Sequence, residues 1–270
     1  MAQRADGNGS RAAGAAVKTP ALELVGVSKN FGNADIICGA DLQIAQGQRC
    51  ALIGPNGAGK STLFNLISGR FALSGGDILL HGKSIAGRKP HQINRLGLAR
   101  SFQITNIFHR LSVLENLRCA VLWSLGYRYS FWQRLNGLQD VHQRVEQILE
   151  EIGLQGRRHI EAGLLAYAEQ RALEIGITIA GNAQVILLDE PTAGMSRSES
   201  EAMVALIRKV TTGKTLLMVE HDMDVVFNLA DRIAVLAHGE IIACDTPPAI
   251  RNNLQVQQAY LGNAIESERP

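Results

Sequence analysis

The sequence lacks the features that mark membrane-spanning, secreted and nucleic-acid-coating chains. No apolar run among its 270 residues approaches the roughly 18–20 needed to cross a bilayer, so any membrane role has to come through a partner. The first twenty residues hold Arg4, Arg11 and Lys18 among alanine and glycine, with no apolar stretch. That argues against a secretory signal and reads as a flexible tail over 1–20. Cysteine is scarce. Cys38, Cys50, Cys119 and Cys244 form no C-x-x-C pair, which argues against a disulfide framework or a zinc site and fits a reducing compartment. Charge of one sign is not in excess either. The 27 basic and 25 acidic residues leave +2, no footprint for nucleic acid or an acidic lipid surface. No repeat of 20–50 residues is found. The expectation is a soluble, intracellular protein.

What is there is a globular balance, 46% apolar and 19% charged, enough to bury a sizeable core. Order is expected from about Ala21, where Leu22, Leu24 and Val27 begin a strand. A second strand, Cys50 to Ile53, runs into a glycine-rich turn and then a helix from Lys60 to Ser68 with Leu63, Leu66 and Ile67 on one face. Gly75, Gly76 and Gly82 flank Ile78-Leu79-Leu80 as in a hairpin. From about Thr105 to Ala180 the pattern is helical. Val141, Val145, Ile148, Leu149 and Ile152 share one helix face, ended by Gly153. Val185–Leu188 and Leu216–Val219 are wholly apolar, as in strands buried on both faces. Between them Ser196 and Glu199 have capping-box spacing, before a helix whose buried face is Met203, Leu206, Ile207 and Val210. Strands alternating with helices predict an α/β core with a mainly parallel sheet, interrupted by a helical insert over about 101–180. Pro247 and Pro248 close the last strand-like segment.

Gly54-Pro55-Asn56-Gly57-Ala58-Gly59-Lys60-Ser61 matches G-x-x-x-x-G-K-[ST] at every fixed position, between a strand and a helix. Such a loop turns consecutive backbone N–H groups toward an anion, and the helix N-terminus adds its dipole. Lys60 is placed to reach the β- and γ-phosphates and the Ser61 hydroxyl to ligate Mg²⁺, with Thr62 next in the helix. Asp189 and Glu190 follow a buried strand at its expected C-terminal end, where open α/β sheets bind ligands. Asp189 can hold Mg²⁺ through water, and Glu190 can act as general base on the attacking water. No N-K-x-D tetrad is present, which favours ATP over GTP.

This combination resembles the nucleotide-binding subunit of an ABC transporter, over about residues 21–262, with 263–270 as a tail. The resemblance implies a P-loop NTPase core of RecA-like type, with an antiparallel β edge and an inserted helical subdomain. It also implies roles for further residues. Phe31 resembles the aromatic that stacks on adenine, although a packed core position is open to a phenylalanine there. Gln103, in Ala99-Arg100-Ser101-Phe102-Gln103, resembles the glutamine linking Mg²⁺ and water to the helical subdomain, and His221 the switch histidine at the γ-phosphate. Ala193-Gly194-Met195-Ser196 stands where the family's D-loop should be. The stretch 97–103, Leu114-Glu115-Asn116-Leu117, Val219-Glu220-His221-Asp222-Met223 and Ala259-Tyr260-Leu261-Gly262 are similar to the branched-chain amino-acid importer branch. That branch implies ATP and Mg²⁺ as ligands and a second ATPase subunit as partner. It further implies transmembrane permease subunits, indirectly an external solute-binding protein, no nucleic acid, and a cytoplasmic place on the inner membrane face.

One motif departs from the family. Its signature, Leu-Ser-Gly/Tyr-Gly-Gln/Glu, is here Leu165-Ala166-Tyr167-Ala168-Glu169, followed by Gln170 and Arg171. In the family these positions meet the γ-phosphate held by the opposite subunit, so Ala166, Tyr167, Ala168 and Glu169 are the residues expected to act in trans. Ala166 removes a hydroxyl, a bond to a charged group worth about 1.5–3 kcal/mol. A methyl at Ala168 is expected to crowd the phosphate and to strain a backbone with φ > 0. Three readings stay open: a heterodimer with an intact partner signature, a hydrolysis-poor subunit, or tolerated alanines in a homodimer. A soluble ABC ATPase without a transporter is a further alternative. Trp123, Tyr127, Tyr129, Phe131 and Trp132 form an aromatic cluster, either core of the helical subdomain or part of a groove for a permease helix.

Overall fold

The computed structural model describes residues 19–101, 107–127, 138–181 and 183–259. Gln103, Tyr129, Phe131, Trp132, Tyr260, Leu261 and Gly262 lie outside them, as does the tail up to residue 18.

Two sheets carry the fold. The first is antiparallel, ordered β2-β1-β4-β5, from β1 (Leu22–Phe31), β2 (Ala34–Ile44), β4 (Gly75–Leu80) and β5 (Lys83–Ser84). The second has the order β10-β9-β3-β8-β7-β6, from β3 (Arg49–Ile53), β6 (Leu98–Arg100), β7 (Val185–Asp189), β8 (Thr215–Val219), β9 (Arg232–Ala237) and β10 (Glu240–Asp245). Its strands run parallel except β10, which pairs antiparallel with β9.

The apolar runs of the second sheet follow from burial on both faces. Successive side chains point to opposite sides of a strand. Ala51, Ile53, Ile186, Leu188, Leu216, Met218, Ile233 and Val235 enter one core. Their neighbours Cys50, Leu52, Val185, Leu187, Leu217, Val219, Ala234 and Leu236 enter the other. α1 (Lys60–Ile67) packs Leu63, Phe64, Leu66 and Ile67 into this second core, together with β1, β2 and β4 of the antiparallel sheet. The helices α3 (Val113–Ser124), α4 (Gln139–Glu151), α5 (Tyr167–Ile179), α6 (Arg197–Val210) and α7 (Met223–Leu229) cover the opposite face. Two short helices, α2 (Pro90–Arg95) and α8 (Pro247–Arg251), complete the set.

Between β6 and β7 the described chain is helical, and α4 buries Val141, Val145, Ile148 and Leu149 as its spacing dictates. Two helices start with a complete capping box. Ser112 Oγ accepts from Glu115 N at 3.2 Å while Glu115 accepts from Ser112 N, and Ser196 with Glu199 repeats the arrangement. On α6, Met203, Ile207 and Val210 are buried and Leu206 half-buried against the same core.

Candidate functional site

The loop 54–59 leaves the C-terminal end of β3, which lies between β9 and β8. Its shape demands glycine at two positions. A Cβ on Gly54 would lie 2.0 Å from the Leu236 carbonyl oxygen. At Gly59, where φ is 101°, it would meet Ile37 Cδ1 at 2.7 Å and Ile36 O at 3.0 Å. Asn56 and Gly57 are exposed on the loop's crest, Pro55 is half-buried and Ala58 is buried. α1 then begins with no side-chain cap and no acid in its first turn, so its leading N–H groups are unclaimed by side chains. Ser61 is exposed and Thr62 half-buried in that turn. The Lys60 ammonium folds over the loop, donating to the Gly54 and Pro55 carbonyls at 2.7 and 2.8 Å. Burial pulls its pKa down, and the charge of Glu190 opposes the shift. A positive helix end, a convergent lysine and a glycine-shaped turn form a cradle for phosphate.

Asp189 ends β7, and Glu190 begins the turn after it in a left-handed conformation, φ 47°. That costs a non-glycine residue about 1–2 kcal/mol. The surroundings impose it: Glu190 N donates to Val219 O at 2.9 Å, and Ala193 N to Glu190 O at 3.2 Å. The result aims the Glu190 carboxylate at His221, with Oε1 2.8 Å from Nε2. Asp189 is almost wholly buried, and its Oδ1 has no hydrogen-bond partner. An orphaned carboxylate oxygen beside a phosphate cradle fits a Mg²⁺ ion or its water shell, and the glycine-shaped loop fits a nucleotide's phosphates.

Phe31, at the end of β1, is 47% exposed and so is no packed core residue. Its ring stands edge-on to Phe71 at 5.5 Å, with Lys29 Nζ 4.8 Å from its centroid.

The signature residues are bonded elsewhere in the chain, and one expectation about them is corrected. Ala168 lies inside α5, and the described non-glycine residues with positive φ are His81, Glu190 and His238. An alanine there carries no backbone strain, because the helix already starts at Tyr167 with Ala166 as its N-cap. Ala166 is exposed, and its N–H donates to Glu169 Oε2 at 3.0 Å. It has no side chain to accept a bond in return, so α5 has half of the box that α3 and α6 complete. Glu169 also pairs with Arg157 at 2.9 Å. The Tyr167 hydroxyl donates to the Ala193 carbonyl at 3.0 Å and accepts from Arg171 Nε at 3.2 Å, tying α5 to the turn after β7. In the aromatic cluster, Trp123 is 51% exposed rather than core, with the Arg95 guanidinium 5.8 Å from its ring.

Three residues of the site were not singled out from the sequence. Arg100, on β6, binds Asp189 Oδ2 at 2.9 Å. Buried Glu220 accepts from Thr192 N and Oγ1 through one oxygen, at 2.9 and 2.7 Å, and from His221 N through the other at 3.1 Å. It thereby locks the turn after β7 to the loop that presents His221. Phe71 supports Phe31. A charged residue next to a motif was the available signal for the first two, but both partners come from distant chain segments.

The chain is similar to known proteins over most of its length. The family described as ABC transporter matches residues 37–193, and the one described as branched-chain amino acid ATP-binding cassette transporter matches 240–266. The high-affinity branched-chain amino acid transport ATP-binding protein BraF of Pseudomonas aeruginosa is 36% identical over 91% of this chain and 99% of its own. LivG of Escherichia coli K12, of the same description, is 35% identical with the same coverage. Among solved structures, a nucleotide-free ATP-binding cassette from an ABC transporter superposes with a TM-score of 0.79 at 26% identity, over 89% of this chain and 98% of that one. The ADP conformation of MJ1267, also an ABC transporter cassette, gives 0.79 at 28% identity, over 90% and 99%. With a phosphate cradle, a carboxylate–histidine pair at the sheet's C-terminal edge and relatives matched along nearly their whole length, the chain belongs to the ATP-binding subunits of ABC transporters.

Proposed function

We propose that this subunit binds ATP with Mg²⁺ and hydrolyses it to drive import of branched-chain amino acids or related small solutes. The observation that carries the catalytic part is the juxtaposition of Lys60, Asp189 and the Glu190–His221 pair around one loop. Lys60 and the N–H groups of 54–62 hold the phosphates, and Phe31 offers a ring face to adenine. Ser61, Asp189 and, from outside the described residues, Gln103 hold the metal, which supplies neutralisation of phosphate charge when bound. Glu190 orients the attacking water and takes its proton, and His221 fixes the Glu190 carboxylate while facing the γ-phosphate. The solute class rests on the names of BraF and LivG.

In this reading residues 21–262 form one ATP-binding domain with 101–180 as its helical insert, and Ala166–Glu169 act on the nucleotide of a second ATPase subunit. A cassette at 22% identity, MJ0796, is described as dimeric with ADP and Pi. No helix among the described residues is long and apolar enough to cross a membrane. We assign the subunit to the cytoplasmic face, against permease subunits served by an external binding protein, on its likeness to the transport ATP-binding proteins BraF and LivG. A groove of about 700 Å³ lined by Arg95, Leu98, Phe108, Cys119 and Trp123 is the surface we assign to the permease. The missing hydroxyl of Ala166 favours a second arrangement, a heterodimer whose partner brings an intact signature.

Calorimetric titration with MgATP tests the nucleotide site. Binding by the chain and its loss in Lys60→Ala are expected. Equal affinity in both would overturn the assignment.

A further inference from the structure

We propose that Arg100 is a positioning residue that sets the metal preference of the site, by holding one oxygen of Asp189 and leaving the other as the single oxygen offered to a cation. The inference rests on the reading of Asp189 as a metal-holding residue given above.

Arg100 ends β6 with its side chain only 8% exposed, and the Asp189 side chain is 1% exposed. One guanidinium nitrogen donates to Asp189 Oδ2 at 2.9 Å. Another donates to Asn65 Oδ1 and Ser68 Oγ, both at 2.8 Å. Asn65 lies on α1 and Ser68 caps its end, so the helix that begins at Lys60 anchors the arginine. The guanidinium carbon also lies 5.5 Å from the ring centroid of buried Phe64. The planar guanidinium makes these contacts from two separate nitrogens held in one fixed fork. The neighbouring residue repeats the connection: Ser101 N donates to Leu187 O at 2.9 Å, and Ser101 Oγ accepts from Asp189 N at 3.4 Å.

This arrangement fixes the carboxylate with Oδ2 taken and Oδ1 buried without a partner. Among the described residues the buried side-chain polar atoms without a partner are Oδ1 of Asp189 and Nε of Arg100, both in this pair. An ion pair built for stability alone would close its remaining bonds. A carboxylate limited to one oxygen suits Mg²⁺, which is small, octahedral and keeps its waters. Ca²⁺ accepts both oxygens of one carboxylate and tolerates irregular shells. Freed of Arg100, Asp189 would offer both.

The test titrates MgCl₂ and, separately, CaCl₂ into the full chain with a fluorescent N-methylanthraniloyl-ATP, reading bound nucleotide. The quantity is the ratio of half-saturating Ca²⁺ to half-saturating Mg²⁺. Loss of the arginine's charge acts on both divalent ions alike and cancels in that ratio, and a variant counts only where thermal unfolding shows its stability unchanged. In Arg100→Gln the ratio is expected to fall by about tenfold, or about 1.4 kcal/mol of discrimination. Asn65→Ala with Ser68→Ala keeps the arginine but cuts its anchors. It should move the ratio the same way by less, and it serves if Arg100→Gln does not fold. An unchanged ratio in a folded variant overturns the proposal. If the parent shows no gain from either metal and Asp189→Asn changes nothing, the metal site itself is misassigned.

Discussion

Replacing Ala166 by serine should stabilise the free protein, although Ala166 is read as part of a site for another subunit's nucleotide. The N-caps of α3, α5 and α6 share one backbone conformation, with φ of −64°, −60° and −65° and ψ of 163°, 154° and 163°. In α3 and α6 a serine hydroxyl accepts from the third helical N–H, and a glutamate returns the bond. In α5 Glu169 is already in place, 3.0 Å from Ala166 N, and only the hydroxyl is missing. Exchanging serine for alanine at an N-cap typically costs about 1 kcal/mol. Because no rearrangement is needed, Ala166→Ser should recover about that amount, raising Tm by roughly 2–4 °C for a chain of this size. Thermal unfolding followed by circular dichroism measures it, with Ser196→Ala as an internal scale losing a similar amount. A stabilised Ala166→Ser beside a destabilised Ser196→Ala supports the half-box. No gain, with Ser196→Ala costing its full share, would refute the reasoning.

Other outcomes follow from the same geometry. Phe31→Ala should weaken ATP binding by roughly 5- to 150-fold, the range that ring-on-base stacking of about 1–3 kcal/mol implies, and Phe71→Ala should do so by less. Fluorescent-nucleotide titration would show it, and equal affinities would remove Phe31 from the adenine site. Trp123→Ala should lower co-purification with the permease while sparing ATP binding; unchanged co-purification counts against the groove. The Cys244 thiol is free, and the neighbouring buried Cys50 thiol, as a hydrogen-bond donor to its thiolate, lowers its pKa to about 7. Its alkylation by iodoacetamide, read by peptide mapping, should therefore rise through neutral pH. In Cys50→Ala the midpoint should move up, because the bond that favours the thiolate is gone.

Much of the site could be read from the sequence because its parts are contiguous. Residues 54–61 make their own loop, and Asp189 and Glu190 directly follow a strand whose continuous apolar run reflects burial on both faces. The order of strands was less accessible. β2 alternates exposed and buried residues along an outer sheet, and β6 is only three residues long. What escaped was chemistry assembled across distance. Arg100 meets Asn65 and Asp189, 35 and 89 positions away, and Glu220 meets Thr192 from 28. At Ala168 the inference from glycine to positive φ failed. In this chain the position belongs to the first turn of α5, where glycine would serve close approach rather than backbone freedom.

The central role proposed for this loop is that Glu190 carries ATP hydrolysis there. The direct measurement is Mg²⁺-dependent phosphate release by the purified chain carrying Ala166→Ser and Ala168→Gly, with and without Glu190→Gln. Turnover is expected in the double revertant, with a loss of at least about 100-fold on removing the Glu190 carboxylate, the usual share of a general base, with ATP still bound. Undiminished turnover in Glu190→Gln would contradict it.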